Sequence, residues 1–100
     1  MYEYHIKGEK DEYIYEYFLS LAAHQGDLDF VKLMVKKGAR NFNDGVLSAV
    51  AGEHIDIVKY LFKNGATNAH MALISAAYTG NSEMIAYLTP KSNFIKNLLF

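Results

Sequence analysis

Four histidines, His5, His24, His54 and His70, are the side chains in this 100-residue chain best suited to proton transfer or metal ligation near neutral pH. A metal site needs several donors converging at characteristic spacing. His24 and His70 do not form such a set with each other or with a carboxylate, His5 lies in a short segment before the first helix, and His54 opens a helix. Cysteine is absent, so thiolate ligands, disulfides and a cysteine nucleophile are all excluded. The serines Ser20, Ser48, Ser75, Ser82 and Ser92 stand outside any nucleophile-elbow context. No Gly-x-Gly-x-x-Gly or phosphate-loop pattern is present, and paired carboxylates occur only in the polar N-terminal segment and at helix starts. The residues therefore predict no catalytic centre, no metal and no cofactor.

Composition limits the rest. The length suits one domain, and half the residues are hydrophobic, enough for a core. A globule of this size buries roughly 65% of its unfolded surface, so modest stability is expected. The formal net charge is -1 and the isoelectric point about 6.4, which argues against broad electrostatic binding to nucleic acid or anionic lipid. The opening residues lack the apolar core of a secretory signal, and no apolar run approaches the ~20 residues of a membrane span. A soluble protein of the cytoplasm is expected. Nine lysines against the single Arg40, with abundant Asn, Tyr and Ile, match the usage of AT-rich genomes such as those of some large DNA viruses, protists and intracellular bacteria.

The elements that would position any functional group emerge from internal repetition. Ala22-Ala23-His24-Gln25-Gly26-Asp27-Leu28-Asp29-Phe30-Val31-Lys32 aligns without a gap on Ala49-Val50-Ala51-Gly52-Glu53-His54-Ile55-Asp56-Ile57-Val58-Lys59. Ala76-Ala77-Tyr78-Thr79-Gly80-Asn81-Ser82-Glu83-Met84-Ile85-Ala86 follows at the same 27-residue step. Each copy reads as two short helices. In the second copy Asn41 is placed as an N-cap, with Asp44 three residues on in a capping-box-like arrangement. Phe42, Val46, Leu47, Ala49 and Val50 carry the first helix until Gly52 is expected to break it. Ile55, Ile57, Val58, Leu61 and Phe62 recur at helical spacing in the second helix, and Gly65 closes it. Asp27 and Asn81 are suited to cap the second helices of the other copies. Asp29, Asp56 and Glu83 put negative charge in the first turns, where the helix dipole favours it. Small residues at Ala22, Ala49 and Ala76 let paired helices approach closely.

This set of positions resembles the ankyrin repeat over roughly residues 14–92. The family's Leu-His-x-Ala-Ala-x-x-Gly-His-x-x-Ile-Val-x-x-Leu-Leu-x-x-Gly-Ala stretch is recognisable from Leu19 through Ala22, Ala23 and Gly26 to Gly38-Ala39, and again from His54 to Gly65-Ala66. An ankyrin unit normally runs about 33 residues, and the repeat step of this chain is shorter. The missing residues are those of the β-hairpin finger and the Thr-Pro turn, so the chain is similar to the compact ankyrin-like form of large DNA viruses and some protists. The resemblance implies an all-α helical repeat solenoid of about three helix-turn-helix repeats without fingers. Residues 1–13 are expected to form an N-terminal arm and cap, 14–40, 41–67 and 68–91 the three repeats, and 92–100 a C-terminal cap or truncated fourth repeat. Pro90 is expected to shorten the last helix. At the N-terminal end, the mixture of Tyr and Glu in residues 11–18 is expected to cap the array with a polar surface.

The same resemblance implies a protein-binding role through the stripe of first helices that lines the concave face. Spacing of i, i+4, i+7 picks out Tyr17, Leu21 and His24, then Asp44, Ser48 and Ala51, then Met71, Ser75 and Tyr78. Tyr and Met suit an interface, and about half of these residues are expected to be buried between repeats. A viral origin would make the partner a host protein, met in the host cytoplasm. The alternative is an assembly role, with a homodimer formed through Ile95, Leu98, Leu99 and Phe100. The second helices carry a basic edge of Lys32, Lys36, Lys37, Lys59 and Lys63. Lysine without arginine and without interleaved aromatic platforms argues for a solvated face rather than nucleic-acid binding.

Overall fold

The computed structural model describes the backbone of residues 9–92 and the side chains of residues 13–92. These residues form six α-helices and no strand: α1 Glu9–Gln25, α2 Leu28–Lys36, α3 Phe42–Ala51, α4 Ile55–Lys63, α5 Ala69–Thr79 and α6 Ser82–Ser92. The fold is thus the all-α helical repeat that the periodicity predicts. Helix α1 starts at Glu9, ahead of the expected repeat start at 14. The rest of the arm (1–8) and the tail (93–100), with its Ile95, Leu98, Leu99 and Phe100, lie outside the described residues. None of the described helices is long and apolar enough to cross a membrane.

Each odd-numbered helix pairs with the helix that follows it, and α1, α3 and α5 also lie side by side in one row. Small side chains make that row possible: Ala22, Ala23, Ala49, Ala72 and Ala76 are all buried. Larger residues of the amphipathic second helices, Val31 and Met34 from α2 with Ile57, Val58 and Leu61 from α4, fill the space behind them. The second helices approach one another less closely than the first helices do. The more tightly packed α1, α3 and α5 make the inner row, and α2, α4 and α6 the outer one.

Several turn details depart from the sequence expectation. Asp27 and Asn81 cap as expected, their Oδ1 atoms accepting from the Phe30 and Met84 amides at 3.0 Å each. Asn41 caps nothing with its side chain, which donates instead to Asp44 at 2.7 Å. The amides ahead of α3 are bound by the preceding repeat, Glu16 accepting from Arg40 N at 2.8 Å and from Asn41 N at 2.9 Å. Asn43, one repeat step after Glu16, accepts from Thr67 N at 2.8 Å. His54 likewise does not cap α4 with its side chain; its ring lies so close to Gly26 that a β-carbon there would come within 2.5 Å of it.

Gly52 does not end α3 by turning left-handed, since its φ is -86°. The left-handed residue is Glu53 (φ 64°), at the place held by Gly26 (φ 86°) and Gly80 (φ 72°) in the other repeats. Gly52 is glycine for another reason: a β-carbon would collide with the carbonyl oxygen of His24. Pro90 does not shorten α6, which runs on to Ser92 with the proline inside it. The one amide bond that proline forfeits would have gone to the carbonyl of Ala86, an exposed residue where water can substitute. Burial of Leu88 and Ser92, with side-chain bonds from Thr89 to Ile85 O and from Ser92 to Thr89 O, holds the last turn.

Candidate functional site

Tyr17, Asp44 and Met71 occupy equivalent places on α1, α3 and α5, as do Leu21, Ser48 and Ser75, and His24, Ala51 and Tyr78. The nine positions form a grid across the inner row. None of them is buried, which corrects the expectation that about half would be. The residues alongside them, Leu19, Ala22, Ala23, Gly45, Val46, Ala49 and Val50, are buried, while the grid lies at the rim of the α1–α3 seam and joins it through Ser48. Tyr17 is 64%, Met71 56% and Tyr78 89% exposed. These three are large side chains that the packed scaffold leaves in water.

The centre of the grid differs from its flanks. The Ser48 hydroxyl lies 2.6 Å from that of Ser20, tying α3 to α1, and Ser48 and Ser75 are only half-exposed. The middle is therefore small, polar and close to the backbone, with aromatic and sulfur-bearing flanks. Ile74, 47% exposed on α5, belongs to the same flank and was missed by spacing. It lies three residues after Met71 and four before Tyr78, and that double relation was the available signal.

Chemistry of other kinds finds less support in the geometry. No group of three or more His, Asp or Glu side chains that could hold a metal occurs among the described residues. His24 is exposed at the edge of the grid, His54 is packed on Gly26 and His70 is exposed on α5.

On the outer side, the expectation of lysines without aromatic neighbours is overturned. Lys32 Nζ lies 5.6 Å from the centre of the Tyr60 ring, and Lys59 Nζ lies 5.5 Å from that of Tyr87. Lys91 reaches both Phe62 and Tyr87. Lys32 and Lys59 thus each sit over the tyrosine of the next repeat, a cation–π ladder along the stack. The half-buried rings are occupied by the chain's own ammonium groups and are not free stacking platforms. Burial also raises the Tyr87 hydroxyl above its ordinary pKa. Tyr15, Leu33, Lys36 and Lys37 line a depression of about 370 Å³ on this side, with neither a carboxylate nor a histidine among the described residues of its wall.

Comparison with known proteins gives one positive finding. A family model described as "Ankyrin repeats (3 copies)" matches residues 19–98. No curated protein and no solved structure matches the chain.

Proposed function

The chain belongs to the ankyrin repeat family, and from that premise we propose that it is a protein-recognition module whose partner docks on the grid of α1, α3 and α5. Ankyrin repeats generally mediate protein–protein interaction and are typically not enzymes. The observation that carries the proposal is the contrast within the inner row. Residues at the seam are sealed, whereas Tyr17, Met71 and Tyr78 stand out from it on a rigid frame. Rigid presentation loses little ordering entropy on binding, and a few such anchors carry most of an interface's free energy.

The partner's surface is expected to place apolar groups over the two flanks and a close-fitting backbone or small side chain over Ser48 and Ala51. The compact 27-residue spacing, similar to that of arrays in large DNA viruses, extends the proposal to a host protein met in the cytoplasm.

The test is affinity capture from a cell extract followed by binding measurements on the captured protein. The wild type is compared with a Met71→Glu, Tyr78→Ala variant and a Lys36→Glu, Lys37→Glu variant, each first shown by circular dichroism to keep its helices. Ser48 is left alone because its hydroxyl bridges α1 and α3. The first variant should weaken binding by about 30-fold, the equivalent of one hot spot, and the second should bind like wild type. The reverse pattern would move recognition to the outer, lysine-bearing side and sink the proposal.

A further inference from the structure

Charge is sorted between the two rows of helices. Every lysine and arginine between residues 13 and 92 lies on a second helix or in the linker that follows one. Residues 13–25 of α1 and the whole of α3 and α5 carry neither, and the acids among them are Glu16 and Asp44. The sorting extends to the helix ends. Helices α2, α4 and α6 each hold a lysine in the last turn, where a cation suits the negative end of the helix dipole. The last turns of α3 and α5 hold no basic residue, and that of α1 holds His24. The net charge of -1 therefore conceals a basic outer row and a negative inner one.

Glu16 and Asp44 differ in the bonding capacity they have left. Both Glu16 oxygens are taken, by the amides of Arg40 and Asn41. Asp44 is exposed. Its Oδ2 accepts from the Asn41 side chain at 2.7 Å, and its Oδ1 makes no bond among the described residues. In the grid Asp44 stands between Tyr17 and Met71, its equivalents on α1 and α5, which are both large and exposed. An anion with unspent capacity thus lies between two apolar anchors.

Resting on the reading of this grid as the recognition surface, we propose that the partner lays a single basic and apolar segment across it. An arginine or lysine of that segment faces Asp44, and apolar side chains on either side of it cover Tyr17 and Met71. Charge complementarity decides the sign. An acidic segment would find no lysine or arginine on the described inner row and would be repelled by Asp44. A neutral apolar one would strip water from the free oxygen of Asp44 and return no bond. Arginine suits the place best, because its planar group can pair with the carboxylate and stack on a ring such as that of Tyr17. Packed helices lie about 8–10 Å apart, so the two apolar groups are separated by roughly 16–20 Å. That distance is about five or six residues of extended chain, or roughly 11–13 of a helix.

Random peptides about 16 residues long, displayed on phage and selected on the immobilised full chain, read the preference directly. The enriched sequences are expected to carry arginine or lysine between apolar residues at one of those spacings. A synthetic copy of the leading sequence should bind Asp44→Asn about two- to fivefold more weakly than wild type at low salt, the range of an exposed ion pair. Replacing its basic residue by glutamine should cost as much on wild type and nothing further on Asp44→Asn. That cycle separates the pair from any change in the fold of the variant. Enriched peptides without a base, or with one indifferent to Asp44→Asn, overturn this inference. The grid reading still stands if those peptides lose binding on the Met71→Glu, Tyr78→Ala variant. Peptides that bind that variant as well as wild type overturn both. Recovery of no enriched sequence overturns the single-segment partner and leaves the grid to a folded surface or a second copy of the chain.

Discussion

Glu53 carries a left-handed backbone that its counterparts Gly26 and Gly80 adopt without a β-carbon. For an L residue that conformation costs roughly 1–2 kcal/mol. Some of the cost is met by Asn81, which donates to the Glu53 carboxylate at 3.1 Å, an exposed bond of small net worth. Glycine would relieve the strain while adding freedom to the unfolded chain, which gives back about 0.4–1 kcal/mol. Glu53→Gly is therefore expected to stabilise the fold by about 0.5–1 kcal/mol, read in calorimetry as a rise of roughly 2–6 °C in Tm. Its neighbour should behave in the opposite way. Gly52→Ala meets the His24 carbonyl, a backbone atom that cannot swing aside. The overpacking is expected to cost about 1–3 kcal/mol, read in the same calorimeter as a fall in Tm. If Gly52 mattered only as a helix breaker, alanine there would be nearly neutral. The 27-residue alignment had already set Glu53 beneath Gly26 and Gly80. A helix-breaking role for Gly52 looked sufficient only because the carbonyl it must clear belongs to the repeat before.

The starts of α3 and α5 are held from the repeat before. Glu16 accepts from two amides, those of Arg40 and Asn41. One register later Asn43 accepts from Thr67 N and also takes a bond on its own carbonyl from Asn68 Nδ2. Such clasps satisfy donors that a local cap would otherwise serve. Glu16→Ala is expected to cost about 1–2 kcal/mol, a typical helix-cap loss. Hydrogen exchange at Arg40 and Asn41 should accelerate before that of the α3 interior, whereas Asn41→Ala should cost less because its side chain reaches only Asp44. Equal costs would show that the cap is local after all. This is also where sequence reading stopped. Helices, their pairing and the turns at Gly38 and Gly65 follow from period and glycine placement, which are local signals. The clasps join residues 24 and 25 apart in sequence, and nothing within a helix's own turn announces them. Pro90 misled for a related reason: its local effect is outweighed by the burial of Leu88 two residues before it.

Among the described residues, contact runs chiefly within each repeat and next between neighbouring repeats, so stability resembles a sum of repeat terms and nearest-neighbour interfaces. A fixed period carries each outward position onto its equivalents, and all nine positions picked out by spacing are at least partly exposed. The exposure of Phe18 and Phe30 at the α1–α2 end was not legible in the same way. Periodicity shows which residues face a neighbour and is silent on whether the neighbour is there. The same architecture separates the effects of two equivalent truncations. Leu61 lies in the middle repeat and Leu88, at the same register in the last, is likewise fully buried. Each leucine-to-alanine change removes similar packing, about 2–5 kcal/mol. Leu61→Ala weakens the repeat through which the outer two communicate, so exchange should rise in all of α1–α6 and the melt should broaden or split. Leu88→Ala should raise exchange in α5 and α6 while α1–α4 keep most of their protection, because an end repeat can open without undoing the others. Hydrogen exchange with mass spectrometry on both variants decides the matter. Uniform loss of protection in both would mean that a single cooperative core, and not a chain of coupled repeats, holds the molecule together.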